Sequence, residues 1–424
     1  MNTIKSAFEI AYKTYQKDIP LRLSLRNYFN AHASTPEHRK IVKRICANFF
    51  RNYLALYELI EDAFPKLRMN DFYILGIALS DYVFIKSVTL EENLVIVFDL
   101  LRNNKSSVSN DMVERLFNNI TQYVDLIPST IKPESKKYLS LKYNIPLWLV
   151  ELWSKHYGKS IAEKLMLNTR KFIYQNFRVN RLKTTSKQLI TDYASDFIMG
   201  RSLTGTTVVY KSIADWKLLS NYQRGEIIPI TEGMNHLVNK LSLRNNDDIL
   251  VIDYANLNVH LALAEASKDK ANITLYRQSE DASYSAMNYI RQFGFNKIET
   301  AGGPLSRLFT FISNKKDIVV LCPKSTNFNE INHYPDFFIH NHQEDIDKHI
   351  LGQKEMLEEG SNYVMDNGLL VYAIETANNK EGSLLIKEFL DSHSEFKLVE
   401  QRQTLQFDRR ATSIYFAILR KIGK

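Results

Sequence analysis

The first third of the chain has the hydrophobic pattern of helices. It contains a single glycine before residue 158, although the whole chain has 14. Apolar side chains recur at helical spacing from Phe49 to Phe64, which predicts one buried stripe on a helix that ends before Pro65. Asn70 and Asp71 then predict the start of the next helix. An all-α bundle is therefore expected in the N-terminal region.

The pattern changes after residue 246, where short apolar runs alternate with amphipathic segments. The runs have the length of strands and are rich in β-branched residues: 249–252, 273–275, 318–321 and 369–371. The segments between them include 283–293 and 346–365, which have helical spacing. This alternation predicts a doubly wound α/β sheet with its ligand crevice at the carboxyl ends of the strands. A final apolar run at 412–419 predicts an edge strand.

The region between these two parts has a mixed pattern. Helices are predicted at 140–157 and 161–168, and strands at 177–182, 207–210 and 227–230. Thr185 and Gln188 have capping-box spacing, which predicts a helix through Ile198. Together with prolines near residue 130, these changes predict three domains, at 1–130, 131–243 and 244–424.

Charge distinguishes the middle region from its neighbours. The net charge of the chain is +8, yet residues 131–225 alone contain 17 Lys and Arg against 6 Asp and Glu. A basic segment between near-neutral ends is typical of proteins that bind a phosphate backbone, and a solvated basic face is the alternative. The chain has no apolar run of membrane-spanning length, and its N-terminus has no pattern of a signal peptide. Its two cysteines, Cys46 and Cys322, exclude a cysteine zinc site, so we expect a cytoplasmic protein without disulfides or a membrane partner.

Three segments of the middle region resemble the RNA-binding part of the RsmB/NOP-type RNA cytosine-C5 methyltransferases. They are Tyr138–Tyr143 (YLSLKY), Pro146–Val150 (PLWLV) and Phe177–Lys183 (FRVNRLK). The family reads roughly Ser-Leu-Lys-Tyr, Pro-x-Trp-Leu-Val and Leu-Arg-Val-Asn-x-Leu-Lys at these places. The order of elements after residue 246 also matches, so the resemblance covers essentially the whole chain. It implies an N-terminal all-α NusB-like bundle, a small basic α/β RNA-binding module and a C-terminal Rossmann-like methyltransferase sheet.

The resemblance also identifies the RNA-binding candidates. The residues that match the family's pattern in the basic region, and that we predict to contact RNA, are Lys142, Arg178, Asn180, Arg181 and Lys183. The family acts on ribosomal RNA, which is the expected partner.

Two strand ends of the C-terminal part match the family's catalytic loops in position but not in chemistry. Residues 321–326 (LCPKST) stand where the family reads roughly Asp-Ala-Pro-Cys-Ser-Gly, and residues 372–376 (YAIET) where it reads Ser-Thr-Cys-Ser. Lys324 and Glu375 thus replace the two cysteines, and Leu321 replaces the aspartate. A cysteine thiolate is suited to attack on cytosine C6, whereas a carboxylate is a weak nucleophile there and a lysine is mostly protonated. No catalytic residue is therefore expected.

The same comparison predicts how the replaced residues are arranged. The two strands are neighbours in the family's fold, so we expect Lys324 and Glu375 to form an ion pair. Cys322 is one strand position away from the loop, which predicts a buried core thiol on the opposite face.

The loop that binds S-adenosylmethionine in the family also departs from the pattern. The family reads roughly Asp-x-Cys-Ala-Ala-Pro-Gly-Gly-Lys-Thr, and this chain reads DYANLNVHLA from Asp253. Val259 and His260 replace the two glycines, which such a turn uses for close approach and positive φ, and Leu261 replaces the lysine. The next strand ends without the acid that binds ribose. Asp253, Asn258, Val259, His260 and Leu261 are therefore predicted to form a vestigial site, with no cofactor bound.

Three functional hypotheses remain open from the sequence. The first is a catalytically inactive family member that binds ribosomal RNA. The second is an active, S-adenosylmethionine-dependent 16S rRNA cytosine-C5 methyltransferase with a rearranged site. The third is an assembly or transcription adaptor that binds a protein through the NusB-like domain.

Four histidines form one further cluster of titratable residues in the sequence. His333, His340, His342 and His349 lie close together in the sequence, but their spacing matches no zinc pattern. A solvated or RNA-facing loop is predicted there, and no metal site.

Overall fold

A computed structural model describes residues 2–120, 126–171, 174–193, 198–201, 206–210, 216–407 and 412–423. Contacts group the chain into two units. The helical unit consists of Met1–Arg170 and Glu330–Gln343, and the sheet unit of Lys171–Asn329 and Glu344–Lys424. The three-domain division and the NusB-like identity of the helices stay predictions.

The described residues contain eighteen α-helices. In the helical unit these are α1 (Thr3–Gln16), α2 (Leu21–Ala31), α3 (Pro36–Arg51), α4 (Tyr53–Ala63), α5 (Met69–Ser80), α6 (Leu90–Asn103), α7 (Asn110–Asn119), α8 (Lys136–Tyr143), α9 (Leu147–Tyr157), α10 (Lys159–Asn168) and the short α16 (Phe337–His340). In the sheet unit they are α11 (Ser186–Tyr193), α12 (Ser220–Gln223), α13 (Glu232–Lys240), α14 (Val259–Ala266), α15 (Glu280–Phe293), α17 (Asp345–Ser361) and α18 (Ser383–Ser392). None of the helices in the described part of the chain is long and apolar enough to cross a membrane.

The core of the helical unit confirms the predicted helices but not their exact limits. The stripe from Phe49 to Phe64 lies on two helices, because the backbone leaves the helical region at Asn52, whose side-chain amide donates to the carbonyl of Asn48 at 2.8 Å. The next helix begins at Met69, so Asn70 and Asp71 lie in its first turn and do not cap it. α5 is buried on nearly all sides, as expected for a central helix of a bundle.

The described residues contain eleven strands, all in the sheet unit. They are β1 (Gln175–Val179), β2 (Ile198–Arg201), β3 (Thr207–Tyr210), β4 (Ile227–Pro229), β5 (Asp248–Asp253), β6 (Asn272–Arg277), β7 (Ile298–Gly302), β8 (Lys316–Cys322), β9 (Val364–Ile374), β10 (Phe396–Thr404) and β11 (Ile414–Lys421).

These strands form two sheets. A small antiparallel sheet has the order β2-β3-β1-β4. The large sheet has the order β10-β11-β9-β8-β5-β6-β7, in which β9, β8, β5, β6 and β7 are parallel and β11 and β10 are antiparallel. Separate hydrophobic clusters cover its two faces. This confirms the doubly wound α/β sheet predicted from the apolar runs and the Rossmann-like methyltransferase sheet implied by the resemblance.

Two element predictions in this unit were wrong. The run at 412–419 gives β11, which is not at the edge, because the more polar β10 pairs with its outer side. The helix predicted through Ile198 ends at Tyr193, and Ile198 begins β2; residues 194–197 lie outside the described part of the chain.

Candidate functional site

The two loops that correspond to the catalytic loops meet at the carboxyl ends of β8 and β9. These strands are parallel neighbours, and Leu321 stands opposite Tyr372 in their register. The Ser325 hydroxyl donates to the backbone carbonyl of Glu375 at 2.8 Å, which joins the two loops directly. The expected adjacency of the loops is therefore confirmed.

The prediction that Lys324 and Glu375 form an ion pair is wrong among the described residues. Lys324 has an exposed side chain, and no ion pair with Glu375 forms within the described part of the chain. The Lys324 carbonyl accepts from the Gln353 amide at 3.0 Å, so its backbone is fixed while its ammonium group faces solvent. A water-exposed ammonium group gains little from pairing, because the solvent screens it.

A buried carboxylate, which the sequence reading missed, holds both loops in place. Glu381 is fully buried and accepts from the Thr326 backbone N–H (2.8 Å) and the Thr326 hydroxyl (2.7 Å) of the first loop. It also accepts from the Thr376 hydroxyl (2.6 Å) of the second loop and from the Gln353 amide (2.9 Å) of α17. Hydrogen bonds to a charged group are stronger than neutral ones, so Glu381 gives the loops a fixed relative position.

Cys322 lies in the core, as predicted. Its side chain belongs to the hydrophobic cluster that also contains Val320, whereas Leu321 belongs to the cluster on the other face of the sheet. Burial raises the pKa of the Cys322 thiol well above its usual value, and the charge of Asp253 adds to this effect. A buried thiol with a raised pKa does not supply the thiolate that nucleophilic catalysis requires.

The turn after β5 occupies the place of the family's cofactor loop but lacks the residues expected there. Asp253 is buried and accepts from the backbone N–H groups of Asn256 (2.7 Å) and Leu257 (3.0 Å). Positive φ values occur at Asn256 (63°) and Asn258 (58°), because asparagine tolerates the left-handed region better than most residues. The side chains of Val259 and His260, which replace the two glycines, are buried in the first turn of α14.

Arg277 lies at the end of β6, where the family carries the acid that binds ribose. Its guanidinium contacts the carboxylate of Asp253 at 3.2 Å, and its side chain is only 11% exposed. Burial raises the pKa of Asp253, and the charge of Arg277 opposes that rise. Burial lowers the pKa of His260 to about 3, with a further contribution from Arg277, so this imidazole is neutral at physiological pH. Neither ring nitrogen of His260 has a hydrogen-bond partner among the described residues.

These residues do not fit S-adenosylmethionine. In the family, the ribose hydroxyls of the cofactor donate to a carboxylate. Arg277 cannot replace that carboxylate, because a guanidinium has no hydrogen-bond acceptor. The buried Val259 and His260 side chains fill the space that glycines leave open for close backbone approach. Leu261 is also buried, so it presents no polar group in place of the family's lysine.

Two of the five predicted RNA-binding residues have structural roles in the sheet unit. Arg178 is fully buried, and its guanidinium donates to Glu265 (2.5 Å), Asn235 (2.5 Å) and Asn239 (2.9 Å). Asn180 is also fully buried and donates to the carbonyls of Gly225 (2.8 Å) and Phe293 (3.1 Å). These bonds give both side chains a role inside the protein, and their contacts with RNA stay predictions.

The other three residues keep access to solvent, and their RNA contacts stay predictions. The Arg181 side chain is 51% exposed while it pairs with Glu265, which also pairs with Arg178. The Lys183 ammonium group donates to the carbonyls of Arg224 (2.8 Å) and Gln292 (2.9 Å) and remains exposed. The Lys142 ammonium group lies 5.6 Å from the ring centroids of Tyr138 and Tyr143.

The histidine segment is partly ordered against the helical unit. His340 contacts Asp18 at 2.6 Å and Asp336 at 3.2 Å, and Asp336 accepts from the backbone N–H of Leu21 at 2.7 Å. The expectation of a solvated loop was therefore wrong at His340, and no cluster of potential metal ligands occurs among the described residues.

Comparison with known proteins agrees with this geometry. Residues 240–416 match the family model described as 16S rRNA methyltransferase RsmB/F, and a search of curated proteins finds no match. The crystal structure of PH0851 is similar over 99% of this chain and 98% of its own, with a TM-score of 0.73 and 18% identity.

Two structures from Pyrococcus horikoshii are similar over a smaller share of this chain. NSun6 with SFG matches 66% of this chain and 99% of its own, with a TM-score of 0.59 and 13% identity. A methyltransferase homologue matches 69% of this chain and 100% of its own, with a TM-score of 0.60 and 14% identity. These likenesses establish the fold. The family match covers residues 240–416 only, and it agrees with the RsmB/NOP-type resemblance of the sequence.

Proposed function

We propose that this chain is an RNA-binding member of the RsmB/NOP-type methyltransferase family that does not itself transfer methyl groups. The observation that supports this best is the Asp253–Arg277 contact, because it puts a buried cation where a cofactor's ribose needs an acceptor. A methyltransferase without its methyl donor cannot complete the reaction, whatever its RNA affinity.

The loops at the ends of β8 and β9 support the same proposal. Methyl transfer to cytosine C5 needs a thiolate that adds to C6, and neither Lys324 nor Glu375 supplies one. Cys322 is buried on the other side of the loop's strand. Glu381 meanwhile keeps the loops ordered, so the scaffold survives without the nucleophile.

The RNA partner follows from the family, which acts on RNA, and from the basic middle of the chain. Of the five residues predicted to contact RNA, three have side chains that can reach a phosphate backbone: Arg181, Lys183 and Lys142. We propose structured ribosomal RNA as the ligand and the cytoplasm as the location.

Binding and methyl transfer can be measured on the same RNA. The full chain is titrated with a 16S rRNA fragment over a series of salt concentrations, and tritiated S-adenosylmethionine is then added. We expect affinity that falls steeply with salt, because phosphate contacts release counterions, and no label in the RNA. Labelled cytosine would establish the active enzyme instead, and absent or salt-indifferent RNA binding would favour the protein-binding adaptor.

A further inference from the structure

The helical unit contains a cavity that the proposed function does not yet use. Its volume is about 260 Å³, and it is lined by the end of α3, the end of α8, the residues after α10 and the segment 331–338. All of these belong to the helical unit. In the sequence, the segment 331–338 follows the loop at residues 321–326, but it packs with the helices.

The charges around the cavity favour an anionic ligand. Two arginines, Arg51 and Arg170, line it, and no carboxylate does so among the described residues. Arg170 is held at the wall by donating to the backbone carbonyl of Arg51 at 3.1 Å. Arg51 has an exposed side chain that makes no ion pair with a described residue. A phosphate bound there would contact one guanidinium that is held in place and one that can move. Guanidinium groups are preferred partners of phosphate oxygens.

The aromatic side chains favour a flat ligand. Phe84 and Tyr334 line the cavity and are 37% and 39% exposed, although large apolar rings usually pack inside a protein. Neither makes a ring-to-ring contact with a described residue. Unpaired nucleobases stack on such exposed rings, and on guanidinium planes, when proteins bind single-stranded RNA.

The size of the cavity completes the argument. Asn52 and Asn144 also lie on the wall, but their amides already bond inside the protein, Asn52 to the carbonyl of Asn48 and Asn144 to the carbonyl of Phe50. Pockets for drug-sized ligands have volumes of roughly 300–1,000 Å³, so this cavity suits a single nucleotide. A duplex is recognised across successive grooves, for which such a cavity is too small.

We infer that this cavity binds one unpaired nucleotide of a single-stranded RNA, with the base against Phe84 or Tyr334 and a phosphate on Arg51. The inference rests on the proposed RNA-binding function and adds a second RNA contact, on the helical unit. It makes the preferred ligand a structured RNA with an unpaired stretch.

The test uses fluorescein-labelled oligouridine, which has no duplex structure, and the full chain. The variant Arg51→Ala/Tyr334→Ala removes one charge and one half-exposed ring from the cavity. Arg115→Ala/Tyr57→Ala removes the same groups from exposed positions that do not line it. We expect roughly tenfold weaker binding for the first variant, from lost stacking, and wild-type affinity for the second. Equal affinity of the two variants would overturn the inference, even if RNA binding itself persists.

A second measurement does not depend on the folding of a variant. Irradiation of the wild-type chain with 4-thiouridine oligomers should crosslink peptides that contain Phe84 or Tyr334. Crosslinks confined to the sheet unit would overturn the inference while leaving the proposed function intact. Failure of any oligomer or 16S rRNA fragment to bind the wild-type chain would instead reject the proposed function.

Discussion

Arg178 and Arg181 lie three residues apart in a basic segment, yet the structure gives them different roles. Both pair with Glu265, but the Arg178 side chain is 1% exposed and that of Arg181 is 51% exposed. The sequence pattern identified the strand and its charges correctly. It could not identify the partner, because Glu265 lies 87 residues after Arg178 and on a different element. Without the partner, a buried ion pair and a phosphate-binding arginine have the same sequence signal.

Neutral substitutions should separate these two roles. Arg178→Met leaves the buried Glu265 carboxylate with less compensation, so we expect a loss of about 3–5 kcal/mol in the free energy of unfolding. Arg181→Met removes a half-exposed partner and should cost about 0–1 kcal/mol. Urea unfolding of both variants measures the difference. Equal and small losses would show that Arg178 is not the structural member of the pair.

The loops at the ends of β8 and β9 show what can be predicted at the level of elements. The apolar runs 318–321 and 369–371 located both strands, and the resemblance made them neighbours. The residue that joins their loops, Glu381, has no signal in any motif, since it lies 55 residues after Thr326. Its role depends on four donors from three elements that only the fold brings together.

Glu381→Gln should therefore loosen both loops at once. The amide would turn a donor toward groups that also donate, and each buried polar group left unsatisfied costs about 1–3 kcal/mol. We expect faster hydrogen exchange in residues 324–327 and 376–381 and a lower unfolding midpoint. The control is Glu388→Gln on α18, where the carboxylate is exposed and pairs with Lys354. Similar hydrogen exchange in both variants would show that Glu381 does not hold the two loops in place.

The segment that carries His340 should make the helical unit sensitive to pH. Burial lowers the pKa of His340, but its interactions with Asp336 and Asp18 outweigh burial and leave the pKa raised. A raised folded-state pKa means that the stabilisation is complete below the unfolded value of about 6.5 and is lost as pH rises through the folded-state pKa.

Thermal unfolding of the wild-type chain and of His340→Gln between pH 5.5 and 8.5 measures this contribution. The wild type should be more stable than the variant at the acidic end, and the difference should shrink as pH rises. A difference that grows with pH would contradict the assigned direction of the shift.

The chain has the predicted order of elements, a helical bundle followed by a mostly parallel sheet. The predictions that failed did so for physical reasons. The sequence does not indicate β10, because eight of its nine residues are at least partly exposed and neither face gives a clean apolar alternation. β11 was then placed at the edge, although its continuous apolar run is typical of an interior strand. Residues 330–343 fall within the predicted domain 244–424 but belong to the helical unit. The sequence gives no sign of this, because the contact of Asp336 with Leu21 joins residues 315 positions apart.

Restoring the two cysteines should not restore activity in this molecule. Lys324→Cys/Glu375→Cys returns the family's nucleophile positions, but Val259, His260 and Arg277 remain at the cofactor end of the sheet. We therefore expect no methyl transfer to a 16S rRNA fragment by the double variant. Circular dichroism and RNA affinity equal to wild type serve as controls for folding. Label in the RNA would mean that the cofactor turn is competent after all.

Calorimetric titration of the full chain with S-adenosylmethionine tests the central claim most directly. The claim is that the cofactor end of the sheet no longer accepts its ligand, because Arg277 contacts Asp253 and His260 fills the turn. The account predicts no saturable heat up to about 1 mM ligand, which corresponds to a binding free energy weaker than about −4 kcal/mol. A dissociation constant in the micromolar range would contradict the account and favour the active methyltransferase.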